Sequence, residues 1–127
     1  MKNTENNNGV SIVFKPRFAS MVQLYRKKLD VLPINEKNIK VGSELLFFKH
    51  NRDTKELFAK DVCSKVQRAY ISSSGLICVE GQYILNETEM DFLSNSYGCN
   101  TFFEFLNIIK NKYGLPLLCH IIKWHGR

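Results

Sequence analysis

Five cations, Lys15, Arg17, Arg26, Lys27 and Lys28, fall between positions 15 and 28, and a carboxylate, Asp30, follows them. Lysine meets phosphate as a point charge and arginine as a planar fork, so this density is suited to a nucleic-acid backbone. Lys27 and Asp30, three residues apart, are also a candidate acid/base pair for catalysis. A neighbouring ammonium favours the ionised carboxylate, which suits an ion pair more than a general base. Tyr97 is the aromatic candidate, either stacking a base or covering the core. The plainer alternative for Lys27 and Lys28 is that they are cations at a helix C-terminus, where the dipole favours them.

The charge pattern supports a polyanion partner. The 127 residues carry 18 Lys and Arg against 12 Asp and Glu, a net charge of +6. Residues 1–70 hold fourteen basic and seven acidic side chains, or +7, and residues 71–127 hold four and five, or −1. A one-sided basic excess points to RNA or DNA. With 44% hydrophobic and 12% aromatic residues, disorder of the whole chain is excluded.

Other chemistries lack their signatures. His50, His120 and His125 do not show metal-ligand spacing, and no nucleophile elbow, phosphate loop or dinucleotide glycine pattern is present. No metal or cofactor is therefore expected. Cys63, Cys78, Cys99 and Cys119 are 15, 21 and 20 residues apart, without a C-x-x-C pair. They read as reduced, mostly buried thiols of a cytoplasmic protein, with Cys99 exposed in a loop. The N-terminus has no apolar run of the kind a signal peptide needs, and residues 1–9 read as a disordered lead-in to a single domain over 10–127.

The elements that must position these groups follow from periodicity. Val10–Phe14 is a strand, and Pro16 opens a helix over 16–27 with Phe18, Met21, Val22 and Tyr25 on one face. Residues 31–34 are extended, and 35–38 form a polar turn. Residues 44–48 form a buried strand, and a hairpin loop at 50–55 leads into a long strand reaching Tyr70. Either Phe47 or Phe48 can line a pocket, because neighbours in a strand face opposite sides. A turn at 72–75 precedes a strand at 76–79. Asn86 with Glu89 and Thr101 with Glu104 have capping-box spacing, predicting two helices, the second ending at Gly114. Leu117–Trp124 is the last strand. The fold class is α+β: a small curled sheet or barrel of mixed strands, one helix after the first strand and two before the last.

Three stretches together resemble the ASCH family of the PUA-like superfamily. They are Ile12-Val13-Phe14-Lys15-Pro16-Arg17-Phe18-Ala19 with the basic turn Tyr25–Lys28, Ile39-Lys40-Val41-Gly42-Ser43-Glu44-Leu45, and Tyr97-Gly98-Cys99 through Tyr113-Gly114 to Ile121-Ile122-Lys123-Trp124. The resemblance implies a PUA-like β-barrel and RNA-related work: RNA binding, hydrolysis of acetylated cytidine, or ribonuclease action. The family's turn reads roughly Gly-x-Lys-x-x-Thr-x-Arg, and in its amidohydrolases the Lys and Thr are catalytic, with a Glu near the start of the later helical region. Lys27 matches the Lys; Tyr25, Asp30 and Leu32 stand at the Gly, Thr and Arg positions, and the Glu position falls near Tyr97.

Three functions are expected in order. The first is binding of RNA or a modified nucleoside in a basic cleft rimmed by Lys15, Arg17, Arg26, Lys27 and Lys28, with Tyr97 alongside. The second is an amidohydrolase or ribonuclease using Lys27 and Asp30 in the same cleft. The third is a phage or mobile-element adaptor that binds a host protein. No membrane partner is expected, since no run of 18 residues is free of charge.

Overall fold

A computed structural model describes residues 9–34 and 37–126. Residues 1–8 of the expected lead-in, and Asn35 and Glu36 of the expected turn, lie outside the described residues. Gly9 already belongs to the first strand. The order is β1 (Gly9–Phe14), α1 (Pro16–Gln23), β2 (Leu29–Pro33), β3 (Glu44–Asn51), β4 (Thr54–Ile71), β5 (Ile77–Val79), β6 (Gln82–Tyr83), α2 (Glu87–Ser96), α3 (Phe102–Tyr113) and β7 (Leu117–Trp124). The α+β class, one helix after the first strand and two before the last are as the sequence predicts.

β4 organises the sheet. Its first half pairs antiparallel with β3, which pairs parallel with β1. Its second half pairs antiparallel with β7, which in turn pairs with β2. β5 and β6 extend the sheet beyond the end of β4. Register shifts at Phe47/Phe48 and at Cys63/Lys65 let this 18-residue strand bend from one half to the other. Among the described residues β1 pairs only with β3 and β2 only with β7, so the sheet is curled and does not close into a barrel. β1 and β2 are bridged instead by α1, which packs on β1 and β3. Pro16 at the start of α1 supplies a preset φ and no N–H to satisfy.

Each half of the sheet buries one face, against different partners. Inside the curl, Phe14, Phe47 and Trp124 pack with centroids 4.8–6.3 Å apart, and Ala19 and Val22 of α1 cover them. On the opposite face, Val31, Ile71, Cys119 and Ile121 lie under Leu93, Phe105 and Ile109 of α2 and α3. Both helices start on the predicted caps. Asn86 accepts from the Glu89 amide, and Thr101 and Glu104 form a complete capping box. Gly114 ends α3 at φ 86°, a conformation that costs glycine nothing.

α1 is shorter than its apolar periodicity predicts, ending at Gln23 rather than residue 27. Tyr25 takes φ 59°, and the amides of Arg26 and Lys27 both donate to the Met21 carbonyl at 2.8 and 3.2 Å. This tight reversal sends the basic segment toward β2.

Candidate functional site

The reversal leaves Arg26, Lys27 and Lys28 in an irregular segment ahead of β2. Lys27 turns inward and is 1% exposed, whereas Arg26 and Lys28 stay at the surface. Lys28 runs along Gly126, where an added Cβ would meet its Cε at 3.0 Å. The expected rim of five converging cations is therefore corrected. Lys15, Arg17 and Lys27 reach one cavity, and Arg26 and Lys28 do not.

Every polar partner of Lys27 comes from a distant element or the next turn of chain. Nζ donates to the Ser96 carbonyl at 3.2 Å and lies 3.8 Å from Asp30 Oδ1. It also sits 3.4 Å from the centroid of the Tyr97 ring, a cation–π contact. Asp30 projects from β2 opposite Ile122, into the same region. The Tyr97 hydroxyl donates to Asp30 Oδ1 at 2.6 Å and accepts from the Val31 amide at 3.0 Å. Among the described residues no buried side-chain nitrogen or oxygen lacks a partner.

Burial dominates the electrostatics. Removing the Lys27 ammonium from water lowers its pKa to about 8; Asp30 opposes this drop and Lys112 adds to it. The Tyr97 phenol is pushed well above its ordinary value, first by burial and then by the Asp30 charge. Tyr97 thus stays protonated and remains a donor, while Lys27 gives up its proton near pH 8.

These groups form the floor of a cavity of about 590 Å³. Phe14, Phe18 and Ile108 give it apolar walls, and Lys15, Arg17, His50 and Lys112 stand around it. The volume and the few convergent polar groups suit a small organic ligand of nucleoside size. Arg17 is anchored there, with Nη2 3.2 Å from both the Tyr97 and the Gly98 carbonyl. Gly98, at φ 68°, permits this approach: an added Cβ would stand 3.2 Å from Arg17 Nη2 and 3.1 Å from Met21 Sδ.

Tyr97 lines the cavity. The residue is 4% exposed, and its ring is taken up by Lys27 and by edge contacts with Phe18 and Phe105. Stacking of a base on it is set aside for that reason. Cys99, expected in an exposed loop, is buried, because it packs with Tyr97 beneath α3; Cys78 is the half-buried thiol.

Sequence reasoning missed His50 and Lys112. Lys112 sits in the last turn of α3, where a cation is explained by the helix dipole alone, and only the tertiary fold brings it to the cavity. His50, at the end of β3, joins the cavity border only because β3 runs beside β1, which no histidine spacing encodes. Among the described residues no group of three or more His, Cys, Asp or Glu could hold a metal ion. None of the described helices is long and apolar enough to cross a membrane. No family model, curated protein or solved structure matches the chain.

Proposed function

We propose that this cavity receives a modified nucleoside or one residue of an RNA strand, and that the domain is a half-barrel variant of the PUA-like, ASCH type. One observation carries the proposal: a wholly buried lysine, joined to Asp30 and Tyr97, forms the floor of a nucleoside-sized hollow bordered by Lys15, Arg17 and Lys112. The floor offers a hydrogen-bond donor and a carboxylate to a base or its substituent. The border cations meet ribose-linked phosphate. The strand and helix order and the left-handed Tyr25, at the position where the family's turn has glycine, support the family assignment.

The test is titration with nucleosides and their 5′-monophosphates, acetylated cytidine among them, at low salt. Binding is expected, stronger for the monophosphates, and weakened by Arg17→Ala. No binding of any nucleoside or nucleotide overturns the proposal.

A second reading, amide hydrolysis, draws on the lowered Lys27 pKa. An amine that is partly unprotonated near pH 8 can take a proton from water attacking the acyl carbon and return it to the departing nitrogen as the C–N bond breaks. Asp30 holds the ammonium that results, and Tyr97 holds Asp30. Turnover of acetylated cytidine that disappears in Lys27→Ala supports this reading, and turnover unchanged in that variant removes Lys27 from the mechanism. The adaptor function has no structural observation in its favour.

A further inference from the structure

We propose that the outward face of β1, β3 and β4 is a track for single-stranded RNA leading from the cavity mouth. The inference rests on the nucleotide reading of the cavity and specifies its ligand as a strand rather than a free nucleoside.

The face follows from register. Ile12, Phe14, Leu45 and Phe47 turn into the curl, so Val13 and the even-numbered residues of β3 turn out. Phe48 stands between Val13 on β1 and Leu57 on β4, making an apolar row across three strands. One residue pair along β3, His50 lies opposite Lys55, and on the other side Leu46 lies opposite Lys60. The bulge at Phe58 shifts the parity of β4, so that Lys55, Leu57 and Lys60 all face outward. Phe48 and Val13 are half-buried, whereas His50, Lys55, Leu57 and Lys60 are exposed.

Two properties fit a single strand of RNA. Cations flank an aromatic side chain on the outer side of the curl, so phosphates find charge while a base finds an apolar platform. The face is also continuous with the cavity, since Val13, Lys15 and His50 line the cavity themselves. Glu44, opposite Val62 at the far end, is the carboxylate on this face, and Glu56 pairs with Lys49 on the other side. A nucleotide held in the cavity would therefore pass its neighbours across Phe48 between Lys55 and Lys60.

The test compares a mixed-sequence single-stranded RNA dodecamer with cytidine 5′-monophosphate, on the wild type and on Lys55→Gln/Lys60→Gln. Neither lysine lines the cavity, and both are exposed, so the fold tolerates the change. The double variant is expected to bind the dodecamer roughly tenfold more weakly, its slope of log affinity against log salt falling by about 1.4, with mononucleotide binding unchanged. Phe48→Leu keeps the apolar row, removes the aromatic face and is expected to weaken dodecamer binding severalfold. A dodecamer affinity and salt slope unaltered by the double variant, with the mononucleotide still bound, overturns the track and leaves the cavity reading standing. Absence of both ligands overturns both.

Discussion

The Tyr97 hydroxyl donates to Asp30 Oδ1 at 2.6 Å across 67 residues of sequence, and in doing so ties the end of α2 to β2. The same oxygen accepts the Val31 amide. One phenol thus satisfies a buried carboxylate and a buried backbone donor. It also supplies the ring on which the Lys27 ammonium rests. Burying a cation is tolerable only when such partners are fixed in place.

Tyr97→Phe keeps the ring and removes the hydroxyl. Asp30 and the Val31 amide each lose a partner in a water-poor site. Leaving buried polar groups unpaired costs about 1–3 kcal/mol each, so a loss of roughly 2–6 kcal/mol is expected. Urea denaturation measures it. A midpoint equal to that of the wild type would show that water replaces the phenol at no cost.

The lowered Lys27 pKa makes stability depend on pH in a defined window. The unfolded chain keeps this proton up to about 10.5, whereas the folded protein gives it up near 8. Between those values the unfolded state binds more protons, so Lys27 makes stability rise with pH, by up to about 3 kcal/mol. Tyr97 acts in the opposite sense. Its folded pKa lies above the ordinary 10.0, so at higher pH the unfolded state loses its proton first and stability falls. Lys27→Met should remove the rise above pH 8 and keep the fall above pH 10. Denaturation at a series of pH values checks this, and a rise that persists in the variant assigns it to another group.

The legible parts of this protein are those encoded locally. Thr101 and Glu104 announce α3 because a cap and its reciprocal carboxylate are three residues apart wherever a helix begins. Pro16 and Gly114 mark their boundaries by backbone chemistry alone. Lys27 and Asp30 are close because the chain between them is short. By contrast, Tyr97 meets Asp30, and Lys112 meets Lys27, only after α2 and α3 have docked on β2 and β7. Nothing in the spacing of these residues encodes that. The open edge between β1 and β2 was likewise hidden, because a curled sheet and a closed barrel share the same strand pattern. The inward turn of Lys27 between two exposed neighbours needed the left-handed Tyr25, a conformation that tyrosine does not advertise.

Thr101→Ala tests the local part of the code. The capping hydroxyl accepts the Glu104 amide at 3.2 Å, and Glu104 Oε1 accepts from the amides of Asn100 and Thr101. Loss of such a cap costs typically about 1 kcal/mol. Thr101→Ser, which keeps the acceptor, should recover most of it. Equal losses in the two variants would mean that the threonine methyl, not its oxygen, matters.

Gly98→Ala separates the border of the cavity from its floor. At φ 68° an alanine pays roughly 1–2 kcal/mol for the left-handed backbone. Its Cβ would also stand 3.2 Å from Arg17 Nη2, at the point where that nitrogen reaches the carbonyls of residues 97 and 98. The guanidinium must then shift off its two anchors, while Lys27, Asp30 and the Tyr97 phenol keep their own contacts. The expected result is a modest loss of stability together with a selective loss of affinity for nucleoside monophosphates over nucleosides. Arg17→Ala should lose the same selectivity without the backbone cost, because Gly98 remains. Isothermal titration of both variants with cytidine and its 5′-monophosphate measures the two effects side by side. If Gly98→Ala binds the monophosphate as the wild type does, Arg17 does not owe its phosphate-binding position to that glycine.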